Sequence, residues 1–397
     1  MASSLAERRE QAARLANTLE LPTFKGRPGW EFTDISALDL TRYEAARVNG
    51  GTPRTVDALF DLPQELELPS GVIVSTIEQA ADDHPELLER YLGSVVTDHD
   101  IFIARNEAGF RDGAFVYVPR GVVLEQPILL TGVHATPGTE LDRRTLIVLE
   151  EGAQAEVWEQ FISASEDLDG IFNVVTELVV GDGARLRYVC GQALSEKSWI
   201  FGAQRAEVGR DGYLDWVALG FGSTGGRVRM ETKLAGEGAE ARVTGAYASH
   251  GRQHIDFDTT QEHAAPHTTS DLAFRGVLQG RSSAVWKGNI IVDPGAQKTD
   301  AFQESRNLLI SKRAHADAIP GLEIQANDVR CTHAAAVAQV DPEQLFYLRA
   351  HGISPEVAKR LVIEGFLAAL VERFEQGAVR EHLATALDRR LALILAE

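Results

Sequence analysis

A loosely repeated strand–turn–strand unit occupies the middle of the 397-residue chain and constrains its fold more than any other feature. Runs rich in valine, isoleucine, threonine and aromatic residues alternate there with turns that contain glycine. In four successive units the turn glycines are 31, 29 and 26 residues apart. These turns are Glu151-Gly152, Asp182-Gly183, Asp211-Gly212 and Glu237-Gly238. An internal period of this length is typical of solenoids, in which each coil stacks on the preceding one.

The repeat leaves two β architectures open. A β-solenoid would bury an inward row of valine, leucine and alanine from every coil. A β-sandwich is also built from regularly spaced short strands, although roughly two hundred residues of strands would be long for one sandwich. The periodicity favours the solenoid without excluding the sandwich.

Helical patterns flank the strand-rich segment. On its N-terminal side, residues 3–19 carry leucine and alanine at helical spacing, and a second helical pattern covers residues 76–93. The patterns become helical again after about residue 335. We therefore divide the chain into an N-terminal helical and loop region (1–95), a β domain (96–335) and a C-terminal helical domain (336–397).

Three helices are predicted in the C-terminal domain. Asp341-Pro342 and Ser354-Pro355 each place a capping residue before a proline at the first helical position, and a third helix is predicted over residues 378–395. We predict that the apolar residues of the second helix share one side and that two aromatic residues of the first helix are exposed. The apolar set is Val357, Leu361, Phe366, Leu370 and Phe374, and the aromatic pair is Phe346 and Tyr347.

The charge of the chain limits its partners. Its formal net charge of -19 repels phosphate backbones and anionic lipid, so we expect no nucleic-acid partner and no membrane partner. No apolar run reaches the ~20 residues that cross a bilayer, and the N-terminus lacks an apolar stretch of signal-peptide type. The expected location is the cytoplasm, where Cys190 and Cys331 would be free thiols rather than a disulfide.

The chain lacks the short motifs of nucleotide binding and metalloprotease chemistry. It contains no GxxxxGK[ST] phosphate loop, no HExxH and no CxxC, so we expect no ATPase activity. His263 and His267 are four residues apart, but Pro266 argues against a helix there. In an extended segment these histidines would lie ~13 Å apart, too far to share a metal ion. We interpret them as polar residues of strands or loops.

Cys331 and His333 are better placed for chemistry. If the segment GLEIQANDVRCTH forms the last strand, Val329, Cys331 and His333 project from one side, with the cysteine and histidine ~7 Å apart. Thiolate and imidazole are both suitable ligands for iron or zinc. Two ligands do not complete a site, so the others would come from elsewhere in the fold or from a partner chain. A buried cysteine that acts as a small apolar residue is the alternative.

Three successive segments carry a resemblance to a known family. They are QHIDFDTTQEHAAPHTTSD, GRSSAVWKGNIIVDPGAQKTDAFQESRNLLIS and GLEIQANDVRCTHAAAVAQVDPEQLFYLRAHGIS. Together they resemble the SufB/SufD family of the SUF iron–sulfur cluster assembly system over residues 254–370. VRCTHAA and the earlier RPGWEFTDISAL are similar to the SufD type. TDAFQESRNLLIS lacks the cysteine that a SufB chain typically carries there.

The resemblance implies a mainly β fold, a right-handed parallel β-helix between two helical regions. It also implies a non-enzymatic scaffold subunit that pairs with SufB through the β-helix and docks the ATPase SufC through the C-terminal helices. An iron–sulfur cluster or iron would be held transiently at the SufB–SufD interface, with none tightly bound to the isolated chain. The family histidine at that interface corresponds to His333, and Cys331 matches a cysteine of the same motif.

The same resemblance assigns the C-terminal helices to SufC docking. We expect Phe346, Tyr347, Val357, Leu361 and Phe366 to contribute to that surface. An exposed end of the β-helix could also pair with its own copy, so a homodimer is expected as an option for the isolated chain.

Two other functions stay open at this point. A SufB-like scaffold would hold a cluster with its own cysteines, but the chain has only two, and one of them lies far from the motif. A β-helix carbohydrate-active enzyme would need carboxylates grouped in an exposed cleft, and no pair in the sequence stands out for that role.

Overall fold

The structure is a computed structural model that describes residues 5–24, 29–46, 58–60, 67–97 and 100–395. Residues 3 and 4 of the first predicted helix lie outside these ranges, as does the Arg27-Pro28 pair that opens the RPGWEFTDISAL segment. No helix within the described ranges is long and apolar enough to span a lipid bilayer.

The described residues form helices near both ends of the chain and strands between them. The helices are α1 (Leu5–Ala16), α2 (Ile77–Asp83), α3 (Pro85–Tyr91), α4 (Ile101–Gly109), α5 (Pro342–Ala350), α6 (Pro355–Val371) and α7 (Ala378–Leu395), with a 3-10 turn at Leu40–Arg42. The strands are β1 (Glu44–Ala45), β2 (Ile73–Ser75), β3 (Asp112–Val118), β4 (Ile128–His134), β5 (Thr139–Leu149), β6 (Gln154–Ser163), β7 (Gly170–Val180), β8 (Arg185–Ala193), β9 (Trp199–Val208), β10 (Tyr213–Gly220), β11 (Gly225–Leu234), β12 (Glu240–Ser249), β13 (His254–His263), β14 (Thr269–Leu278), β15 (Ser283–Val292), β16 (Asp300–Leu309), β17 (His315–Ile324) and β18 (Arg330–Gln339).

Two sheets of parallel strands form the body of the molecule. From β3 onward the odd-numbered strands belong to one sheet (sheet A) and the even-numbered strands to the other (sheet B). Strand β13, for example, pairs in parallel with β11 and β15. One coil therefore takes one strand from each sheet, and about eight coils stack into a parallel β-solenoid. The solenoid prediction is confirmed, because a β-sandwich would consist of antiparallel sheets.

The turns from sheet A to sheet B stack on one another and explain the repeat in the sequence. Gly152, Gly183 and Gly238 have positive φ angles of 69°, 64° and 73°, which a residue without a Cβ adopts at little cost. The Gly152 N–H donates to the carbonyl of Asp182 (2.8 Å), and the Gly183 N–H donates to that of Arg210 (2.7 Å). Because each turn bonds to the next one, the glycine spacing equals the length of one coil.

In other coils, a residue other than glycine occupies the left-handed position of this turn. In the third predicted turn it is Asp211 (φ 54°) rather than Gly212. In two later coils it is His267 (φ 58°) and Lys298 (φ 64°), whose N–H groups donate to the following turn at 2.9 and 2.6 Å. The visible repeat therefore ends at Gly238, although the coils continue to β18.

The N-terminal region covers the outer face of sheet A and is held there by a buried carboxylate. Glu177 on β7 accepts hydrogen bonds from the backbone N–H groups of Gly93 (2.9 Å), Val95 (3.1 Å) and Val96 (3.0 Å). The Arg144 guanidinium contacts the same carboxylate at 2.8 Å. A charge removed from water is stabilised only by partners of this kind. These contacts attach the described segment 93–96 to the β domain.

Two helices occupy the segment 76–93, where one helical pattern was predicted. Helix α2 ends at Asp83 and α3 begins at Pro85. A proline inside a helix would clash with the preceding turn, whereas it fits the first position of a new helix. Ile77 and Leu88 bury the two helices against sheet A.

Helices α6 and α7 cover the outer face of sheet B, and here the predicted single apolar side of α6 is wrong. Leu370 and Phe374 are buried, whereas Val357 and Leu361 are 50% and 43% exposed. Val357 and Phe366 are nine residues apart, which is about two and a half turns of helix, so they lie on opposite sides. The helix also ends at Val371, before Phe374.

A pair of glycine substitutions tests the left-handed turns. A Cβ at Gly183 or at Gly365 would meet no atom within 4 Å, so only the backbone differs between the two sites. Gly183→Ala should lower the free energy of unfolding by about 1 kcal/mol because of its positive φ, and Gly365→Ala in α6 should raise it by a similar amount. Thermal denaturation followed by circular dichroism measures both shifts. An equal sign for the two would contradict the assignment.

Candidate functional site

The solenoid has an open end at its last coil. Strand β18 is the final strand of sheet B, and within the part of the chain that the structure describes it pairs only with β16. None of its ten residues is buried, whereas β4, at the other end of the same sheet, alternates buried and half-buried residues. Ile324 and Val337 are large apolar residues that remain 43% exposed at this end. Both faces of the last coil are therefore accessible in the isolated chain.

Cys331 and His333 lie on the inward row of this last strand. Cys331 pairs in register with Ala301, and His333 pairs with Gln303. Both partners are buried between the two sheets, and in parallel strands residues in register project from the same face. The predicted common side of Cys331 and His333 is consistent with this register. They face the solenoid interior, which is open here because no further coil covers it.

The two residues differ in exposure. Cys331 is half-buried and packs against a buried apolar cluster that includes Ile290, Val292 and Ala301. Burial, followed by the nearby Asp300 carboxylate, raises the pKa of its thiol. His333 is exposed. The histidine is thus the accessible group of the pair, while the cysteine is held mainly as a protonated thiol at neutral pH.

Gln303 is a residue that the sequence analysis did not identify. It is fully buried beside His333. Its Nε2 donates to the carbonyl of Gly321 at 3.0 Å and, more weakly, to that of Gly288 at 3.4 Å, so it connects sheet B to sheet A across the interior. Its Oε1 has no hydrogen-bond partner among the described residues. The two-residue alternation of the strand DAFQESRNLL would have predicted its inward position.

His263 and His267, the two histidines four residues apart, have structural surroundings. His263 is buried, and its two ring nitrogens lie 2.7 and 2.8 Å from the hydroxyl groups of Thr268 and Ser270. Burial lowers the pKa of His263 to about 4, so the ring is neutral. His267 occupies a left-handed turn. Within the described ranges, no three His, Cys, Asp or Glu side chains are arranged to hold a metal ion.

The predicted docking residues divide into two groups. Phe346 and Tyr347 are 73% and 64% exposed on α5, a helix without any buried residue. Val357 and Leu361 are exposed apolar residues of α6, the helix that contacts α5. Phe366 is different, since its ring lies 5.0 Å from the Arg275 guanidinium and its carbonyl accepts a hydrogen bond from Arg275. Phe366 therefore attaches α6 to the solenoid.

A groove of about 200 Å³ lies between α6 and α7. Apolar and charged side chains line it together. The apolar ones include Leu367, Val371, Leu387 and Leu391, and the charged ones are Glu364, Glu372, Arg380 and Asp388. This groove is a second accessible apolar feature of the C-terminal helices.

Comparisons with known proteins identify the relatives of the chain. Residues 133–366 match the family described as SUF system FeS cluster assembly, SufBD core domain, and residues 56–130 match the SufBD protein N-terminal region. The iron–sulfur cluster assembly protein SufD of Bacillus subtilis is 35% identical over 339 residues, covering 84% of this chain and 77% of the relative. A SufBD family protein of Mycobacterium tuberculosis is 29% identical over 372 residues, covering 92% and 88%.

Thiol reactivity tests the environment of the two cysteines. At about pH 7.5, iodoacetamide should modify Cys331 in the native protein more slowly than a free cysteine, because its raised pKa reduces the thiolate fraction. Cys190 is buried, and burial raises its pKa to about 12, so it should react only after denaturation. Peptide mass spectrometry of timed samples measures both rates, with Cys331→Ser as the control. Rapid native labelling of Cys190 would contradict the structure.

Proposed function

The chain belongs to the SufBD family of iron–sulfur cluster assembly proteins, and from this we propose that it is a non-enzymatic scaffold subunit that pairs with SufB and docks the ATPase SufC. The single observation that carries the proposal is the open last coil. Cys331 and His333 lie on the inward side of strand β18, and another chain would have to cover this strand to bury them. We propose the cytoplasm as its location.

The open coil supports pairing with a related solenoid. The free edges of β17 and β18 present backbone N–H and C=O groups without strand partners among the described residues, and such edges are templates for pairing with another chain. Exposed Ile324 and Val337 add apolar area to the same end. SufB is the proposed occupant in the complex. A second copy of this chain would occupy the same end when SufB is absent.

His333 is the proposed ligand or proton-handling group at that interface. The iron or iron–sulfur cluster is the cargo of the assembly, held transiently and not tightly bound to the isolated chain. An exposed imidazole can bind iron, and the partner chain would supply the remaining ligands. Cys331 is a candidate second ligand, but its raised thiol pKa opposes the thiolate form that binds metal. A partner cation or iron itself would be needed to lower it.

The exposed surface of α5 and α6 is the proposed SufC docking site. The site consists of the exposed residues Phe346, Tyr347, Val357 and Leu361. Phe366 contacts Arg275 of the solenoid and so holds α6 in place. Aromatic side chains that become buried at an interface often carry much of its binding energy. The absence of a phosphate loop from the sequence is consistent with a subunit that relies on a separate ATPase.

Two alternatives are weaker. A SufB-like self-sufficient scaffold would need a cysteine-rich site, but Cys190 is buried and distant in sequence from Cys331. A β-helix carbohydrate-active enzyme would need paired carboxylates in a cleft. Anaerobic co-purification separates these functions, because only a SUF subunit should retain an ABC-type ATPase.

Substitution of His333 tests the proposed site. His333→Ala should leave the complex with SufB and SufC intact and reduce the rate of anaerobic cluster assembly at least about fivefold, because a ligand to the cargo is lost. Thr332→Ala is the matched control, since Thr332 is exposed on the other face of the same strand. Size-exclusion chromatography measures complex formation, and the visible absorbance of iron–sulfur clusters measures assembly.

A normal assembly rate for the His333→Ala complex would exclude this residue as the site. A loss of the complex itself would instead assign His333 to the interface, and the reaction step would then need another residue.

Docking of SufC is tested on α5. Phe346→Ala with Tyr347→Ala should weaken SufC binding at least about thirtyfold, because one buried aromatic anchor can contribute ~2 kcal/mol. Leu393→Ala is the control, since Leu393 is also an exposed apolar residue but lies on α7. Surface plasmon resonance with immobilised SufC measures both affinities. Similar affinities for the two variants would place the docking surface elsewhere.

A further inference from the structure

Three stacked turns on the side of the solenoid carry arginine at the same position. The turns from sheet B back to sheet A include residues 250–253, 279–282 and 311–314, each closed by a hydrogen bond from the fourth N–H to the first carbonyl. Their third residues are Arg252, Arg281 and Arg313, which we call the arginine ladder. The strands that follow are in register, with His254 opposite Ser283 and Ser283 opposite His315. The three arginines therefore lie above one another, at steps of ~4.8 Å.

Four of the five cations at this edge are exposed, the fifth is half-buried, and none has an ion-pair partner among the described residues. Arg252, Arg281 and Arg313 are exposed, as is Lys312 beside the last of them. Lys359 of α6 adds a fifth cation at the same edge, where its Nζ lies 3.4 Å from the Gln279 side chain. The nearest carboxylate on the following strand, that of Asp317, contacts His315 instead.

Cations on other stacked turns of this solenoid are paired between coils. On the turns from sheet A to sheet B, Arg120 contacts Glu151, Arg210 contacts Asp182, and Lys298 contacts Asp328. The same edge as the ladder begins with such a pair, because Lys197 contacts Asp167 in the earlier coils. In the last three coils, the arginines of the ladder have no such carboxylate partner among the described residues. This is unexpected in a chain whose net charge is -19, because acidic side chains are abundant.

Stability of the isolated chain does not account for the arginine ladder. Like charges on adjacent strands repel, so an unpaired column is slightly destabilising. A partner that supplies carboxylates would remove this repulsion and form charge-assisted hydrogen bonds with the guanidinium groups.

We propose that the arginine ladder is a docking surface for an acidic patch of a protein partner. The ladder stands on protruding turns, whereas small-molecule sites are concave. It spans only ~10 Å over three strands, and a longer polyanion such as a nucleic acid would meet the acidic remainder of the surface. The last rung, Arg313, directly precedes β17 at the open end, so a chain that covers this end reaches the ladder. The proposal is independent of the role of His333.

The test compares two triple variants of the full chain. The ladder variant is Arg252→Gln, Arg281→Gln and Arg313→Gln. The matched control is Arg120→Gln, Arg210→Gln and Lys298→Gln, which removes the same charge from turns where the cations are already paired. Fluorescence anisotropy measures the affinity for a fluorescein-labelled octaglutamate peptide at low and at physiological salt.

We expect the wild-type chain to bind the peptide at low salt and the ladder variant to bind it about tenfold more weakly, with the control within about twofold of wild type. The salt dependence should also fall in the ladder variant, because fewer charge contacts are screened. Equal weakening in both variants, or no binding by the wild type, would overturn the proposal.

Three further probes distinguish other occupants. Tighter ladder-dependent binding of an eight-nucleotide oligothymidylate than of the peptide would make the surface a nucleic-acid site and overturn the proposal. Equal competition by inorganic triphosphate would make it a small-anion site, with the same consequence. Sedimentation that shows a wild-type dimer lost in the ladder variant would assign the surface to a second copy of this chain instead of another protein, and would also overturn the proposal.

Discussion

Hydrogen bonding from coil to coil is the constraint on which the rest of the structure depends. Every strand between the two ends of the solenoid is paired on both edges, and each turn bonds to the turn of the next coil. This arrangement satisfies backbone groups only as long as another coil follows. The last coil has none, so β17 and β18 keep a free edge and an uncovered inward row. The inward side chains of β18, which would be buried in an internal coil, are therefore accessible at this end.

Helices decide which surfaces of the solenoid stay accessible. The N-terminal region seals the outer face of sheet A through Glu177 and the apolar contacts of α2 and α3, and α6 and α7 seal much of the outer face of sheet B. Among the described residues the last coil receives no comparable cover, and α5 buries no residue of its own. The helices therefore cover much of the outer faces of both sheets, while strand β18 and α5 stay exposed in the described part of the chain. That division suits a subunit of an assembly.

Stacking also determines where charges meet. In a solenoid, side chains from residues about one coil apart in sequence become neighbours at ~4.8 Å, so ion pairs form between turns rather than along the chain. Arg210 with Asp182 follows this rule. The arginine ladder arises from the same geometry, but here three side chains of like charge become neighbours in successive turns. The alignment of these arginines depends on the register of the strands and not on any local sequence motif.

The sequence by itself determined the family, the solenoid class and the position of Cys331 and His333 on one side of the final strand. The family and the solenoid class follow from the resemblance of residues 254–370 together with the period of the turn glycines, and the common side of Cys331 and His333 follows from the two-residue alternation of a strand. It did not show the later coils as repeats, because His267 and Lys298 adopt the left-handed conformation without being glycine. It also placed Val357 and Phe366 on one side of α6, although they lie on opposite sides. Only the tertiary structure decided that β18 is uncovered, that Gln303 lies beside His333, and that three arginines align. The reason is physical: coil lengths vary by several residues, so which side chains become neighbours is fixed by the stacking of coils and by the helices that cover them, not by the chain locally.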